Sequence, residues 1–312
     1  MYRLSLIMER ESMKVLVTGG AGFIGSNLVD RLIADSHTVT VIDNESADSN
    51  EQFYWNPQAH NYKYDVRDYV MVRKLYEGQD AVFHLAAEAR IQPTIEDPLK
   101  AFENNMIGTA TVLECARSCG VKRVVYSSTS AAYGLANTPP MVETMSTDCL
   151  NPYSVSKVAG EEMCKMYARL YGMETVTFRY FNVYGERQPL RGQYAPVIGI
   201  FLRQRAAGEP MTIVGDGTQR RDFTYVGDVV AVNIRAATMT QPADYQWGQI
   251  YNIGTGRNYS INEIAALMGG ETVTLPPRLA ESRLSLADTT KTNIHIGWTP
   301  QVRLEEWISE HK

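Results

Sequence analysis

The sequence predicts an α/β protein: a doubly wound parallel sheet joined to a smaller C-terminal α/β lobe. Three observations carry this expectation. Short apolar, β-rich runs alternate with amphipathic helical stretches through the first half of the chain. A glycine-rich turn sits directly between the first such run and the first helical stretch. After about residue 181 the alternation gives way to short elements in which Gly, Pro and Arg are frequent.

Taken in order, residues 1–12, "MYRLSLIMERES", are expected to precede the folded core. Their apolar stretch is too short for a signal peptide and no small-residue cleavage site follows. The runs "KVLVT" (14–18), "TVTVI" (38–42), "AVFHL" (81–85), "RVVYS" (123–127) and "ETVTF" (174–178) read as buried strands. Helical stretches lie between them at 22–34, 98–118 and 153–171. Together they define a first domain over 13–181. Residues 182–312 read as the smaller lobe, with a helix near 196–207, a strand at 211–214 and helices near 227–239 and 261–268. Some of its segments are expected to return to the first domain.

The 312 residues suffice for one large domain or two modest ones. A net charge of −5 argues against a broad nucleic-acid-binding face. No apolar run approaches the ~20 residues of a membrane span. The four cysteines, Cys115, Cys119, Cys149 and Cys164, have no metal-ligand spacing. They read as reduced thiols in a cytoplasmic protein with no metal site.

The turn "VLVTGGAGFIGS" places Gly19, Gly22 and Gly25 at the close of the first strand and the opening of a helix, with Phe23 and Ile24 inside it. The first glycine permits the tight turn and the second lets the backbone approach a pyrophosphate. The third lets helix and strand pack closely, with the phosphates at the positive helix end. Asp43 ends the next strand, followed by Asn44, about 20 residues on, where an acid holds ribose hydroxyls. The pattern is that of a Rossmann-type dinucleotide site. An acid there favours NAD, because the 2′-phosphate of NADP would meet a negative charge. Asp65 and Val66, ending the third strand, are expected near the adenine.

"NPYSVSKVAGEE" sets Tyr153 and Lys157 on one face of a helix. A free phenol is a poor base at neutral pH. An ammonium about 4 Å away is worth roughly 4 kcal/mol at an effective dielectric of about 20, enough to bring a phenol from about 10 to about 7. On this reasoning Tyr153 is a candidate base.

With these residues in place, the chain resembles the extended short-chain dehydrogenase/reductases, and within them the NAD-dependent nucleotide-sugar epimerases of the UDP-galactose and UDP-N-acetylglucosamine 4-epimerase type. The resemblance rests on "TGGAGFIGS", "HLAA" (84–87), "NN..GT" (104–109), "SST" (127–129), "YSVSK" (153–157), "RYFNVYG" (179–185) and "RDFTYV" (221–226), and runs from Met13 onward. It implies that Leu85, Ala86, Ala87, Asn104, Ser127 and Tyr180 join Tyr153 and Lys157 around NAD. It also implies that Thr129 completes a Thr-Tyr-Lys catalytic set and that Ser128 lies near the substrate. The related 4,6-dehydratases carry "TDE" at this strand end and the UDP-glucuronate decarboxylases commonly "TSE". This chain has Thr129-Ser130-Ala131, so no acid is placed to assist elimination or decarboxylation.

The resemblance further implies that Arg221 and Arg278 bind a diphosphate, and that Asn182 contacts the phosphates or sugar. Tyr194 and Val197, in "GQYAPVIGIF", are expected to cover the base, and Glu281 to accept from a ribose. The family's R-P-G-D is Arg278-Leu279-Ala280-Glu281 here. Ser285 stands where epimerases of simple hexoses carry a bulky residue and leaves room for an N-acetyl group at C2. Arg90-Ile91-Gln92 departs from the simple-hexose pattern and is expected at the sugar. The expected partners are a UDP-sugar and a second copy of the chain, without nucleic acid or membrane. The implied reaction is 4-epimerisation of a UDP-hexose or UDP-N-acetylhexosamine. Other readings are a different nucleotide-sugar epimerase or reductase (UDP-glucuronate 4-epimerase, 2-epimerase), or a catalytically silent NAD-sensing scaffold.

Overall fold

The computed structural model describes residues 12–47, 52–190, 195–276 and 283–312. Six strands, β1 (Lys14–Thr18), β2 (Thr38–Asp43), β3 (His60–Lys63), β4 (Ala81–His84), β5 (Arg123–Thr129) and β6 (Glu174–Tyr180), pair in the order β3-β2-β1-β4-β5-β6. A seventh, Gln249–Ile253, adds beyond β6, and every pairing is parallel. The order reverses between β1 and β4, and this switch point opens the crevice in which such sheets bind ligands.

Strand alternation builds two cores from one sheet. Val15 and Val17 of β1 face the helices Phe23–Ala34 and Val226–Thr238, packing with Leu28, Leu32, Val229 and Ile234. Leu16, between them, faces the helices Gly108–Ser118 and Pro152–Tyr171, packing with Val112, Leu113 and Cys164. Both faces are covered, so the central strands read as nearly unbroken apolar runs. The C-terminal residues build a third core around Tyr184, Phe201, Ile264 and Trp307.

The five expected strands are present. Gln249–Ile253 is an addition, the third strand expected to end at Asp65 and Val66 is β3 and stops at Lys63, and β5 and β6 each run two residues further than the apolar runs suggest. The stretch 98–118 is not one helix. It divides into Pro98–Phe102, a π-helical turn Glu103–Ile107, and Gly108–Ser118. The helix Pro152–Tyr171 is sharply defined by its sequence. Asn151 Oδ1 accepts from the Ser154 amide at 2.9 Å, Pro152 opens the first turn, and Gly172 closes the helix at φ +66°. Among the described residues no helix is long and apolar enough to cross a membrane.

Candidate active site

A cavity of about 610 Å³ runs along the carboxyl ends of β1, β2, β4, β5 and β6. Its wall holds the expected cofactor residues Gly19, Gly22, Phe23, Ile24, Gly25, Asp43, Asn44, Asp65, Val66, Leu85, Ala86, Ala87, Asn104, Ser127 and Tyr180. Tyr153, Lys157, Thr129, Ser128, Arg90, Asn182, Arg221 and Ser285 line it too. Val197 lines a second cavity of about 540 Å³, which shares Arg90, Asn182 and Arg221 with the first. Tyr194, Arg278 and Glu281 lie outside the described residues.

The glycine turn fits a dinucleotide for steric reasons. Gly19 has φ +71°, and a Cβ there would lie 2.6 Å from the Ala86 nitrogen. A Cβ on Gly25 would overlap the Gly19 carbonyl oxygen. Side chains at these positions would fill the cradle at the N-terminus of the helix Phe23–Ala34. Asp43 is buried at the cavity wall, where it accepts from the amides of Ala21 (3.1 Å) and Glu45 (2.8 Å). Burial raises its carboxyl pKa, and those amide bonds oppose the rise.

Behind the cradle, buried His84 ties the site together. Thr109 donates its hydroxyl to the Asn105 carbonyl at 2.6 Å. Thr109 must therefore accept from His84 Nε2 at 2.9 Å, leaving Nδ1 to accept from Thr18 at 2.7 Å. Asn105 sits in the π-helical turn. Its Oδ1 accepts from the Glu88 amide at 2.8 Å, and its Nδ2 donates to the Glu88 carbonyl at 3.1 Å and to Ser156 at 2.9 Å. The loop after β4 is thus fastened to the helix Pro152–Tyr171. Asn104 donates to Glu88 at 3.0 Å while facing the cavity.

Thr129, Tyr153 and Lys157 converge where this cavity meets the end of β5. Thr129 Oγ1 accepts from the Ala131 amide at 3.1 Å and shares the cavity wall with Tyr153. The downward pull of Lys157 on that phenol, expected from spacing alone, is not what governs it. Burial raises the Tyr153 pKa, and the Thr129 hydrogen bond and the Arg90 charge oppose the rise. Burial also brings Lys157 down to about 8, against the attraction of Cys164 and Glu161. The physical reason is shared desolvation: both charged forms lose water in the same enclosed place. The ammonium lies 4.9 Å from the centre of the Tyr126 ring.

The hydroxyl run divides its tasks. Ser127 Oγ lies 3.1 Å from the Tyr180 hydroxyl, whose ring faces the cavity. Ser128 lines the cavity too, but its hydroxyl donates to Glu161 Oε1 at 2.5 Å. Glu161 is also gripped by Arg179, at 2.8 Å and 2.6 Å. Ser128 therefore joins the strand end to the helix Pro152–Tyr171. Glu161, Asn105, Phe53 and Leu150 were not singled out by the sequence; the doubled asparagine "NN" was the only signal for any of them.

On the ligand side, Asp222 is fully buried and accepts from the amides of Thr255 (2.8 Å), Gly256 (3.1 Å) and Ala287 (3.1 Å). These bonds hold the neighbouring Arg221 and the segment carrying Ser285 against the cavity. Asn182 donates to the Asp222 carbonyl at 2.8 Å.

A parallel sheet with this strand order, a glycine cradle, an acid at the second strand end and a Thr-Tyr-Lys cluster define an NAD-binding protein with dehydrogenase-type chemistry. Residues 15–254 match the NAD dependent epimerase/dehydratase family, and the chain belongs to that family. It is 37% identical to the UDP-glucose 4-epimerase of Mycolicibacterium smegmatis, over 96% of this chain and 97% of that one. Among solved structures, the UDP-glucose 4-epimerase of Thermotoga maritima, with UDP-glucose, superposes with a TM-score of 0.88 at 36% identity, covering 96% of this chain and 97% of the other. The UDP-N-acetylglucosamine 4-epimerase of Methanobrevibacter ruminantium, in complex with UDP-N-acetylmuramic acid, gives 0.89 at 32% identity, covering 97% of each.

Proposed function

We propose that the chain catalyses NAD-dependent 4-epimerisation of a UDP-hexose or UDP-N-acetylhexosamine through a 4-keto sugar. The observation that carries this is the meeting of Thr129, Tyr153 and Lys157 in the cavity that begins at the glycine cradle, with Ser130 and Ala131 where an eliminating enzyme needs an acid. Tyr153 takes the proton from the C4 hydroxyl as Thr129 hydrogen-bonds the same oxygen. Lys157 stabilises the phenolate from within the helix. Bound NAD supplies the acceptor and donor of the C4 hydride. With no acid beside Thr129, the keto sugar loses neither water nor carbon dioxide. It turns in the cavity, and Tyr153 returns the proton to the oxygen at C4.

The nucleotide is assigned as UDP by likeness to the relatives above. Ser285, half-buried on the cavity wall, supports room for an N-acetyl group. A bulky side chain there would impose roughly 1–3 kcal/mol of strain on such a sugar. Four free thiols support a cytoplasmic site of action. Leu99, Ile107, Met166 and Leu170 are exposed on the helical segments 98–118 and 152–171, while Leu113 and Met163 turn to the core. This apolar outer face supports a homodimer joined by a four-helix bundle.

The test is incubation of the purified protein with a panel of nucleotide sugars, reading epimer ratios by NMR. Tyr153→Phe should lower the rate roughly 10²–10⁴-fold in a folded protein that retains NAD. Ser285→Tyr should depress turnover of the N-acetylated pair far more than that of UDP-glucose and UDP-galactose. Near-normal turnover by folded Tyr153→Phe would remove the phenol from the mechanism.

A further inference from the structure

Residues 53–55 are Phe-Tyr-Trp, three aromatic side chains in a row in a segment that is neither helix nor strand. Phe53 is half-buried in the wall of the cavity that holds the glycine cradle. The Tyr54 amide donates to the Ala21 carbonyl, inside the glycine turn, at 2.9 Å. Trp55 donates its indole N–H to Glu45 Oε1 at 2.8 Å, just beyond the end of β2. Asn56 donates to Asp30 Oδ1 at 2.7 Å, on the helix that the turn opens. A fourth tie comes from a distant part of the chain. The Arg187 guanidinium lies 4.6 Å from the centre of the Tyr54 ring, donates to Ser26 Oγ at 2.8 Å and pairs with Asp30 at 2.8 Å. Three described non-glycine residues have left-handed backbone, and two of them, Arg187 (φ +62°) and Glu45 (φ +57°), are anchors of this segment. Such a conformation persists only where the surroundings enforce it, and it gathers at ligand clamps.

We propose that residues 53–56 form a strap that retains bound NAD, with Arg187 as its pin. Asp43 accepts from the Ala21 amide at 3.1 Å, and the Ala21 carbonyl accepts from Tyr54. The strap, the glycine turn and the acid at the end of β2 therefore meet on one residue. Phe53 leads directly from that junction into the cavity wall, beside the cradle in which a dinucleotide lies. Its ring keeps water from that end of the cavity, and the ties at Tyr54, Trp55 and Asn56 keep it from swinging aside. The pin is the part that can open. Tyr54 and Arg187 are exposed, so their contact can break without disturbing either core of the sheet. On the other side of the pin, Glu186 accepts from the Tyr225 hydroxyl at 2.9 Å, which fixes it to the smaller lobe. Retention by the strap is independent of which sugar is turned over.

Cofactor exchange provides the test. Protein loaded with NAD is mixed with an excess of isotopically labelled NAD, and the bound label is followed by mass spectrometry. Tyr54→Ala and Arg187→Gly should each exchange about 3- to 30-fold faster than the parent, the scale of a lost cation–π contact. Glycine accepts the φ of residue 187, so that variant removes the pin without straining the turn. Tyr54→Phe keeps the ring and should exchange like the parent. Tyr54→Ala combined with Arg187→Gly should be no faster than the faster single variant, because both changes open one contact. Bound NAD should slow hydrogen exchange at the Tyr54 amide in the parent, and Arg187→Gly should reverse that slowing. Folded variants that exchange NAD at the parental rate would overturn the assignment, as would Tyr54→Phe exchanging as fast as Tyr54→Ala. A fall in Tm that is equal with and without NAD, at an unchanged exchange rate, would make the strap a structural contact only and overturn it too.

Discussion

Glu161→Gln should destabilise the protein by about 3–5 kcal/mol, the usual cost of removing one partner from a buried ion pair. The magnitude follows from the surroundings. The side chains of Arg179 and Glu161 are 2% and 1% exposed, and two short hydrogen bonds join them. The Arg179 guanidinium lies 4.7 Å from the centre of the Tyr133 ring, with its Nη1 unpartnered. A neutral amide of the same shape leaves that cation buried without its anion and weakens the acceptor of Ser128. For a domain of this size the loss corresponds to a fall in Tm on the order of 10 °C. Calorimetric and urea unfolding would measure it. Replacing both partners, Glu161→Leu with Arg179→Met, should cost less than the sum of the single changes, because neither charge remains. Activity should change as well. Glu161 draws the Lys157 pKa upward, so its loss should move the alkaline limb of the rate profile to lower pH. A Glu161→Gln protein within about 1 kcal/mol of the parent would refute the reasoning. So would a double variant that loses the full sum, since packing rather than charge would then be the brace.

Three further outcomes are expected. Gly25→Ala should abolish co-purification of NAD while the chain still folds, because the added Cβ meets the Gly19 carbonyl; absorbance and mass spectrometry of the released cofactor decide it. Acid should destabilise the protein through His84, whose pKa is brought from 6.5 to about 3 by burial. The unfolded chain takes up that proton between those values and the native state does not, so the stabilisation is complete above about pH 6.5 and drains away as pH falls toward 3. Urea titrations of the parent and His84→Gln across that window should converge at low pH, and parallel curves would count against it. Sedimentation should show a dimer at micromolar concentration, and Leu170→Asp with Ile107→Asp should yield a folded monomer.

The cofactor half of the site was legible because its demands fall on backbone shape. A cradle that excludes Cβ atoms needs Gly19 and Gly25, and only glycine meets that need. The same holds for the central strands, whose burial on both faces leaves apolar runs. The edge strand "HNYK" was legible only through the expected strand end at Asp65: it is exposed or half-buried along its length and carries no hydrophobic signal. "QIYNI" was missed for the opposite reason. Its Asn252 is fully buried among polar partners, the Tyr133 hydroxyl at 2.7 Å and the Met141 carbonyl at 2.8 Å, which no periodicity displays. The π-helical turn was hidden too, since residues 98–118 keep helical spacing while the turn serves to aim Asn104 and Asn105 in different directions.

The charge state of Tyr153 and Lys157 was the part that spacing could not supply. Four residues along a helix fix a distance, and a distance fixes a Coulomb attraction only once the dielectric is known. Here the phenol and the ammonium are both withdrawn from water, and desolvation leads each shift: Tyr153 is raised and Lys157 falls to about 8. The groups that favour a phenolate, Thr129 and Arg90, both stand on the wall of the substrate cavity. Filling that cavity expels the water that screens them and strengthens their pull on the phenol. Tyr153 is therefore kept protonated without substrate and ionises more readily when a sugar is bound, so the activation of the base belongs to the complex. A phenol absorbance that titrates lower with a non-reactive nucleotide sugar bound than in its absence is the expected signature; an unchanged titration would place the activation elsewhere.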